Sequence, residues 1–246
     1  MPKTFPGFST KALSFFRSLE RNNKREWFTP RKAFFEEQVR GPMLQLVGLL
    51  NDDLRGFSAD HVVEPKKAIF RIYRDTRFSK DKSPYKTHIA ASFPPGGMPR
   101  HCGAGFYFYV SHKGAGVAGG MYMPGKEDLA AVRKAIAENY PAWKKLVEAK
   151  ELTKKVGPLL GEKLSRVPKG FAADHPAAEY LRMKQWYFDG RLPADVATKP
   201  ALRKEVAKLF RAMTPVVQFL NSAAKSAIHE EEGEVSAIPK RPTPMF

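Results

Sequence analysis

The hydrophobic positions along this chain change period twice. Over residues 9–21, Ala12, Leu13, Phe16 and Leu19 recur at helical spacing, with Ser9 placed to cap the first turn. Asn22-Asn23 interrupts the pattern. Thr29-Pro30 then opens a second helix carrying Ala33, Phe34, Phe35 and Val39. Gly41-Pro42 is expected to divide it from a third, with Met43, Leu44, Leu46, Val47, Leu50 and Leu54 on the buried side. From residue 69 the period falls to two. Phe70 and Ile72 point one way and Ile69, Arg71 and Tyr73 the other, which predicts a strand. A second short strand is predicted over 89–93, and a third, rich in aromatics, over 106–110. A turn at Lys113-Gly114-Ala115-Gly116 returns the chain through 117–123, so 105–123 reads as a β-hairpin. Gly119-Gly120 inside the return strand predicts a bulge, or the close approach of another backbone or a ligand.

Helical spacing resumes at Lys126. Leu129, Val132, Arg133 and Ile136 define one helix; Pro141, Trp143, Leu146 and Val147 begin another. A short helix over 177–183 and a further strand at 185–188 precede a long helix over 199–224. Its stripe is Leu202, Val206, Leu209, Phe210, Met213 and Val217, with Pro215 expected to kink it. The fold class expected from this order is α+β: one domain over 1–225, an antiparallel sheet with its hairpin flanked by N-terminal and C-terminal helices. Residues 226–246, acidic and then Pro-rich, are expected to form a mobile tail.

At 246 residues, with 43% hydrophobic and 12% aromatic content, the chain can bury a sizeable core and is not a disordered one. The single cysteine, Cys102, excludes an internal disulfide framework and suits a reducing compartment. The N-terminal segment lacks the apolar run of a signal peptide, and no stretch is long enough to span a membrane. The expectation is a soluble cytoplasmic protein. A net charge of +17 favours anionic partners, nucleic acid among them, but a basic surface also serves solubility.

Charge changes the picture most at residues 66–86. Eight Lys/Arg and two Asp give this short segment +6 of the total. A fifteen-residue connection of such composition within a compact domain calls for a reason. Arg presents a planar fork to phosphate or carboxylate, and Lys a point charge. Arg71, Arg74, Arg77, Lys80, Lys82 and Lys86 are therefore candidate ligand-binding residues, with Asp75 and Asp81 orienting them, Pro84 stiffening the turn and Tyr85 flanking the anion. The competing expectation is a surface loop stapled by its own Asp–Arg and Asp–Lys pairs.

The run R-D-T-R-F-S-K-D-K-S-P-Y-K-T, residues 74–87, resembles the signature of a widespread bacterial family designated domain of unknown function 2461. The resemblance extends to N-N-K-R-E-W-F at 22–28, A-G-G-M-Y-M-P at 118–124 and V-P-K-G-F at 167–171. It implies a single domain reaching to about residue 220. It carries no activity and no catalytic residues.

Other chemistries find less support. His88, His101, Cys102 and His112 lack the spacing of a metal site, so no metal and no cofactor are expected. There is no G-x-S-x-G elbow, and the hairpin glycines are in the wrong context for a dinucleotide fingerprint. Glu64, Asp75 and Asp81 are the carboxylates available to an enzyme acting on a phosphorylated substrate. Tyr107 and Tyr109 beside a basic loop offer a stacking surface for nucleic acid. The leading expectation is a protein that binds an anionic, phosphate-bearing ligand through loop 74–88, next to the Gly119-Gly120 hairpin. Nonspecific nucleic-acid binding and enzymatic action on the anion are the alternatives.

Overall fold

A computed structural model describes residues 4–96 and 103–236, leaving His101 and Cys102 outside the described residues. Helix α1 (Thr10–Arg21) starts where Ser9 accepts the amide of Ala12 at 3.1 Å and ends at Asn22. It buries Ala12, Phe15, Phe16 and Leu19. From Arg25 to Arg55 the chain is helical almost without interruption: α2 (Arg25–Phe28), a 3₁₀ turn at Thr29–Arg31, α3 (Lys32–Phe35), a π-turn at Glu36–Arg40, and α4 (Gly41–Arg55). The expected break at Gly41-Pro42 is thus absorbed rather than made. Pro42 has no amide to give an i→i−4 bond, and the Gly41 amide reaches back to Glu36 O, so the ladder widens for one turn and continues.

After the single turn α5 (Pro65–Ala68), residues 69–73 do not form the regular strand that their alternation predicted. The Phe70 amide bonds Ala90 O at 2.9 Å, but two residues later the partner changes, and the Lys86 amide bonds Ile72 O at 2.8 Å. Changing partner turns the segment. Ile72 is buried while Phe70 stays 44% exposed, although alternation put both on one face.

The sheet comprises β1 (His88–Phe93), β2 (Gly105–Ser111), β3 (Gly114–Met121) and β4 (Trp186–Leu192), antiparallel throughout and in sequential order. His112-Lys113 forms the β2–β3 turn, one residue earlier than the glycines suggested. Between β3 and β4 lie α6 (Lys126–Glu138), α7 (Tyr140–Val147), α8 (Lys150–Val156) and α9 (Ala178–Leu181). After β4 come α10 (Ala194–Ala197) and α11 (Leu202–Ser236). The last helix passes the expected end at 224, and residues 237–246 of the expected tail lie outside the described residues. No helix among the described residues is long and apolar enough to cross a membrane.

One face of the sheet is core. Phe93, Phe106, Phe108, Val110, Val117 and Phe188 are fully or almost fully buried, with Phe210 of α11 stacked on Phe106 at 4.8 Å and edge-on to Phe93 at 5.5 Å. Gly119 makes this contact close, because a Cβ there would sit 2.8 Å from Met213 Sδ. At Gly120 (φ +134°) the backbone of β4 approaches instead, and a Cβ would meet Trp186 O at 2.3 Å. The close approach expected at this glycine pair is therefore made by protein.

The β1–β2 connection is anchored by buried polar groups. The Ala104 amide donates to Asn221 Oδ1 at 2.6 Å, and Ala104 O accepts from Asn221 Nδ2 at 3.0 Å, with His61 Nε2 at 3.1 Å. These bonds satisfy backbone groups that burial would otherwise leave unpaired.

Replacing Gly120 with Ala combines a left-handed backbone with a steric clash. We expect a loss of about 1–3 kcal/mol or more, read as a lower urea midpoint with unchanged slope.

Candidate functional site

Loop 74–88 is not an open excursion. Arg74 N donates to Pro84 O at 2.9 Å and Lys86 N to Ile72 O at 2.8 Å, which closes its neck. Asn23, just past α1, then clasps the strand side of the neck. Its Oδ1 accepts the Tyr85 amide at 3.0 Å and its Nδ2 donates to Tyr85 O at 2.9 Å. Tyr85 is only 3% exposed, with its ring stacked on Phe28 at 4.2 Å. An asparagine 62 residues away thus acts like a neighbouring strand for a single residue.

Beyond the neck, the two aspartates fold the loop onto itself. Asp81 Oδ1 accepts the Ser83 amide at 2.9 Å and Oδ2 pairs with Arg74. Asp75 takes the Arg77 guanidinium at 2.8 and 3.0 Å and its amide at 3.2 Å. Lys82 Nζ donates to Thr76 O at 2.9 Å. These contacts hold Asp75 down to about 2, chiefly through Arg77, and hold Asp81 well below the usual carboxylate range, through Ser83 and Arg74. Both remain anionic and weakly basic at neutral pH, so as general bases they are poorly suited.

A cavity of ≈ 620 Å³ opens between this loop, the end of α1 and the start of β1. It is lined by Glu20, Asn23, Arg74, Asp75, Asp81, Ser83, Tyr85, Lys86, Thr87 and His88. Of the six cations expected to converge, Arg74 and Lys86 line it. Arg71, Arg77, Lys80 and Lys82 are exposed and lie outside the lining. Asp75, Asp81 and Tyr85 do line it. The neighbouring turn is His112-Lys113, since His88 pairs with Ser111 and Ser111 with Gly114. The glycine pair expected beside the loop stands six residues along β3, about 20 Å away at strand rise.

Arg74 is spoken for by Asp81, whereas Lys86 is not paired with a carboxylate among the described residues. Its Nζ rests on Arg71 O at 3.1 Å and lies 5.2 Å from the Phe70 ring centroid. Burial, reinforced by Arg71, lowers its pKa. His88 beside it is likewise lowered by burial and by Lys86, so its imidazole is neutral at pH 7. Glu20, also in the lining, is held by Lys113 at 2.7 Å and by His112 at 3.2 Å. Lys113 is the leading cause of its lowered pKa.

Sequence reasoning did not select Glu20, Asn23, Ser83, Thr87 or His88 as ligand-binding residues. Asn23 registered only as a helix breaker and within a family motif; its pairing with Tyr85 is a tertiary contact that no local pattern encodes. No cluster of three or more His, Cys, Asp or Glu among the described residues is arranged to hold a metal ion.

This α+β protein, with a charge-stapled loop over a polar cavity, matches a family of conserved hypothetical proteins over residues 11–219. The chain belongs to that family, DUF2461, and the matched span includes the whole of the loop and cavity. No curated protein and no solved structure matches the chain.

The loop's staples set a pH window. Carboxylates depressed in the folded state contribute stability that is full above their unfolded value of 3.8 and lost as pH falls through about 2 for Asp75 and lower still for Asp81. Protection of the amides at residues 75–83 against exchange, relative to the intrinsic rate at each pH, is expected to fall across that interval before that of the sheet amides does. In Asp81→Asn, which loses the charge of one staple, the same loss of protection should already be present at neutral pH.

Proposed function

We propose that this protein binds a small anionic ligand, a phosphate or carboxylate compound, in the cavity beneath loop 74–88. One observation carries the reading: Lys86 is a half-buried lysine of the cavity lining with no carboxylate partner among the described residues. Its present contacts are a backbone carbonyl and an aromatic ring. Partial desolvation disfavours its charge, and an incoming anion would relieve that cost. Arg74, Ser83 and Thr87 add donors on the same walls.

The loop's stapling supports binding rather than opposing it. Asp75 and Asp81 consume the charges of Arg77 and Arg74 and in doing so fix the loop's shape, so Lys86 meets its ligand on a formed wall. Loop 74–88 then serves as the support of a site whose anion-binding charge is one lysine, not a convergence of six cations.

The test is titration of the full chain with inorganic phosphate and with ribose 5-phosphate at constant ionic strength. Lys86→Met keeps the aliphatic stem and removes the charge. We expect affinity to fall roughly ten- to hundredfold, as for a lost charged hydrogen bond, with far-ultraviolet circular dichroism unaltered. Equal affinity in the variant would overturn the assignment.

A further inference from the structure

We propose that the ligand of this cavity is a nucleoside monophosphate, with its phosphate at Lys86 and its base laid on an aromatic shelf on the free face of the sheet. The inference rests on the anion-binding reading above and adds the part of the ligand that reading leaves open.

The shelf begins at the cavity wall. Antiparallel pairing puts His88, Tyr107 and Tyr109 on the face opposite the core, where Tyr107 and Tyr109 remain partly exposed between buried Phe106, Phe108 and Val110. The rings touch in sequence. His88 is edge-on to Tyr109 at 5.7 Å, Tyr109 lies 6.1 Å from Tyr107, and Tyr107 meets Phe70 edge-on at 5.9 Å. Phe70 closes the circuit, since it is the ring beneath Lys86 Nζ. A flat ligand group attached to an anion at Lys86 therefore finds aromatic surface directly beside it.

Tyr109 is held in place for this purpose. A Cβ at Gly116, its cross-strand partner, would stand 2.3 Å from Tyr109 Cε1, so the ring leans across β3 into space that only glycine leaves free. Arg191 on β4 grips its hydroxyl and is itself fixed by Asp189 at 2.8 Å. Burial, with Tyr109 and Asp189 nearby, pushes Tyr107 up to about 12, so its hydroxyl stays protonated and able to donate. Rings immobilised in advance lose little entropy when a base stacks on them.

The charges select one phosphate. Lys86 and Arg74 share the cavity lining with Glu20, Asp75 and Asp81. Those carboxylates accept hydrogen bonds from ribose hydroxyls but repel further phosphates, which disfavours a triphosphate or a continuing polynucleotide strand.

Calorimetric titration of the full chain with AMP, CMP, ribose 5-phosphate, inorganic phosphate and a ten-nucleotide single strand tests this. Both nucleotides should bind roughly tenfold or more tightly than ribose 5-phosphate, the increment of one stacked base. Tyr109→Leu should bring AMP down to the level of ribose 5-phosphate. Gly116→Ala, which displaces the ring without removing it, should do likewise and serves if the first variant folds poorly. Lys86→Met should weaken all the phosphates. Ribose 5-phosphate binding as tightly as AMP would overturn the shelf while sparing the anion site. Failure of every phosphate compound to bind would overturn both. Tighter binding of the oligonucleotide, insensitive to Tyr109, would replace the nucleotide with a strand.

Discussion

The packing of α11 against one face of the sheet governs the rest of the molecule. Phe210 fills the space over Phe93 and Phe106, and Met213 settles where Gly119 lacks a side chain. Because strand side chains alternate with period two, committing Phe106, Phe108 and Val110 to this contact commits Tyr107 and Tyr109 to the other face. A slip of one residue in β2 would bury two tyrosyl hydroxyls and expose the phenylalanines. The core thus determines the surface chemistry without touching it.

The second governing constraint is the clasp between Asn23 and Tyr85. Loop 74–88 carries most of its charge far from the core, and a loop of that composition would otherwise be free to spread into solvent. Two hydrogen bonds from one side chain, and the Phe28 ring against Tyr85, tie its neck to the N-terminal helices. The aspartates then organise the remainder locally, each accepting the amide two residues ahead while pairing with an arginine. Exposed ion pairs of this kind add little global stability. Their effect is on shape: they neutralise four charges and leave Lys86 as the cation of the cavity lining without a carboxylate partner among the described residues.

The cavity that results is mixed in sign, with two of the six cations that composition suggested would converge and with Glu20 beside the two expected aspartates. That difference bears on the proposed ligand. A polyanion gains from many cations spread along a groove, whereas a single anion with hydroxyl groups gains from one cation among acceptors. The clustering of positive charge in the sequence and the local charge of the cavity are separate properties, because ion pairing consumes the first before it can produce the second.

Much of the fold was legible in the chain. Amphipathic spacing located α1, α6, α7 and the buried stripe of α11; β-propensity and alternation located the hairpin and the fourth strand; the charged run marked the loop at the cavity's edge. These features depend on neighbours a few residues apart, which local sequence encodes directly. Residues 69–73 show where that reach ends. Their alternation predicted a strand, but the segment divides its hydrogen bonds between β1 and residues 84–86, and only the tertiary arrangement decides such a division. The same holds for Gly41-Pro42, where burial of α3 and α4 carries a helix through a local break, and for the cavity beside the loop. Sequence determined which charges stand near one another along the loop. Only tertiary structure decided that Asn23, Glu20 and His88 join them, and that Lys86, unlike Arg74, has no carboxylate partner among the described residues, because those relations depend on which distant segments the core brings together.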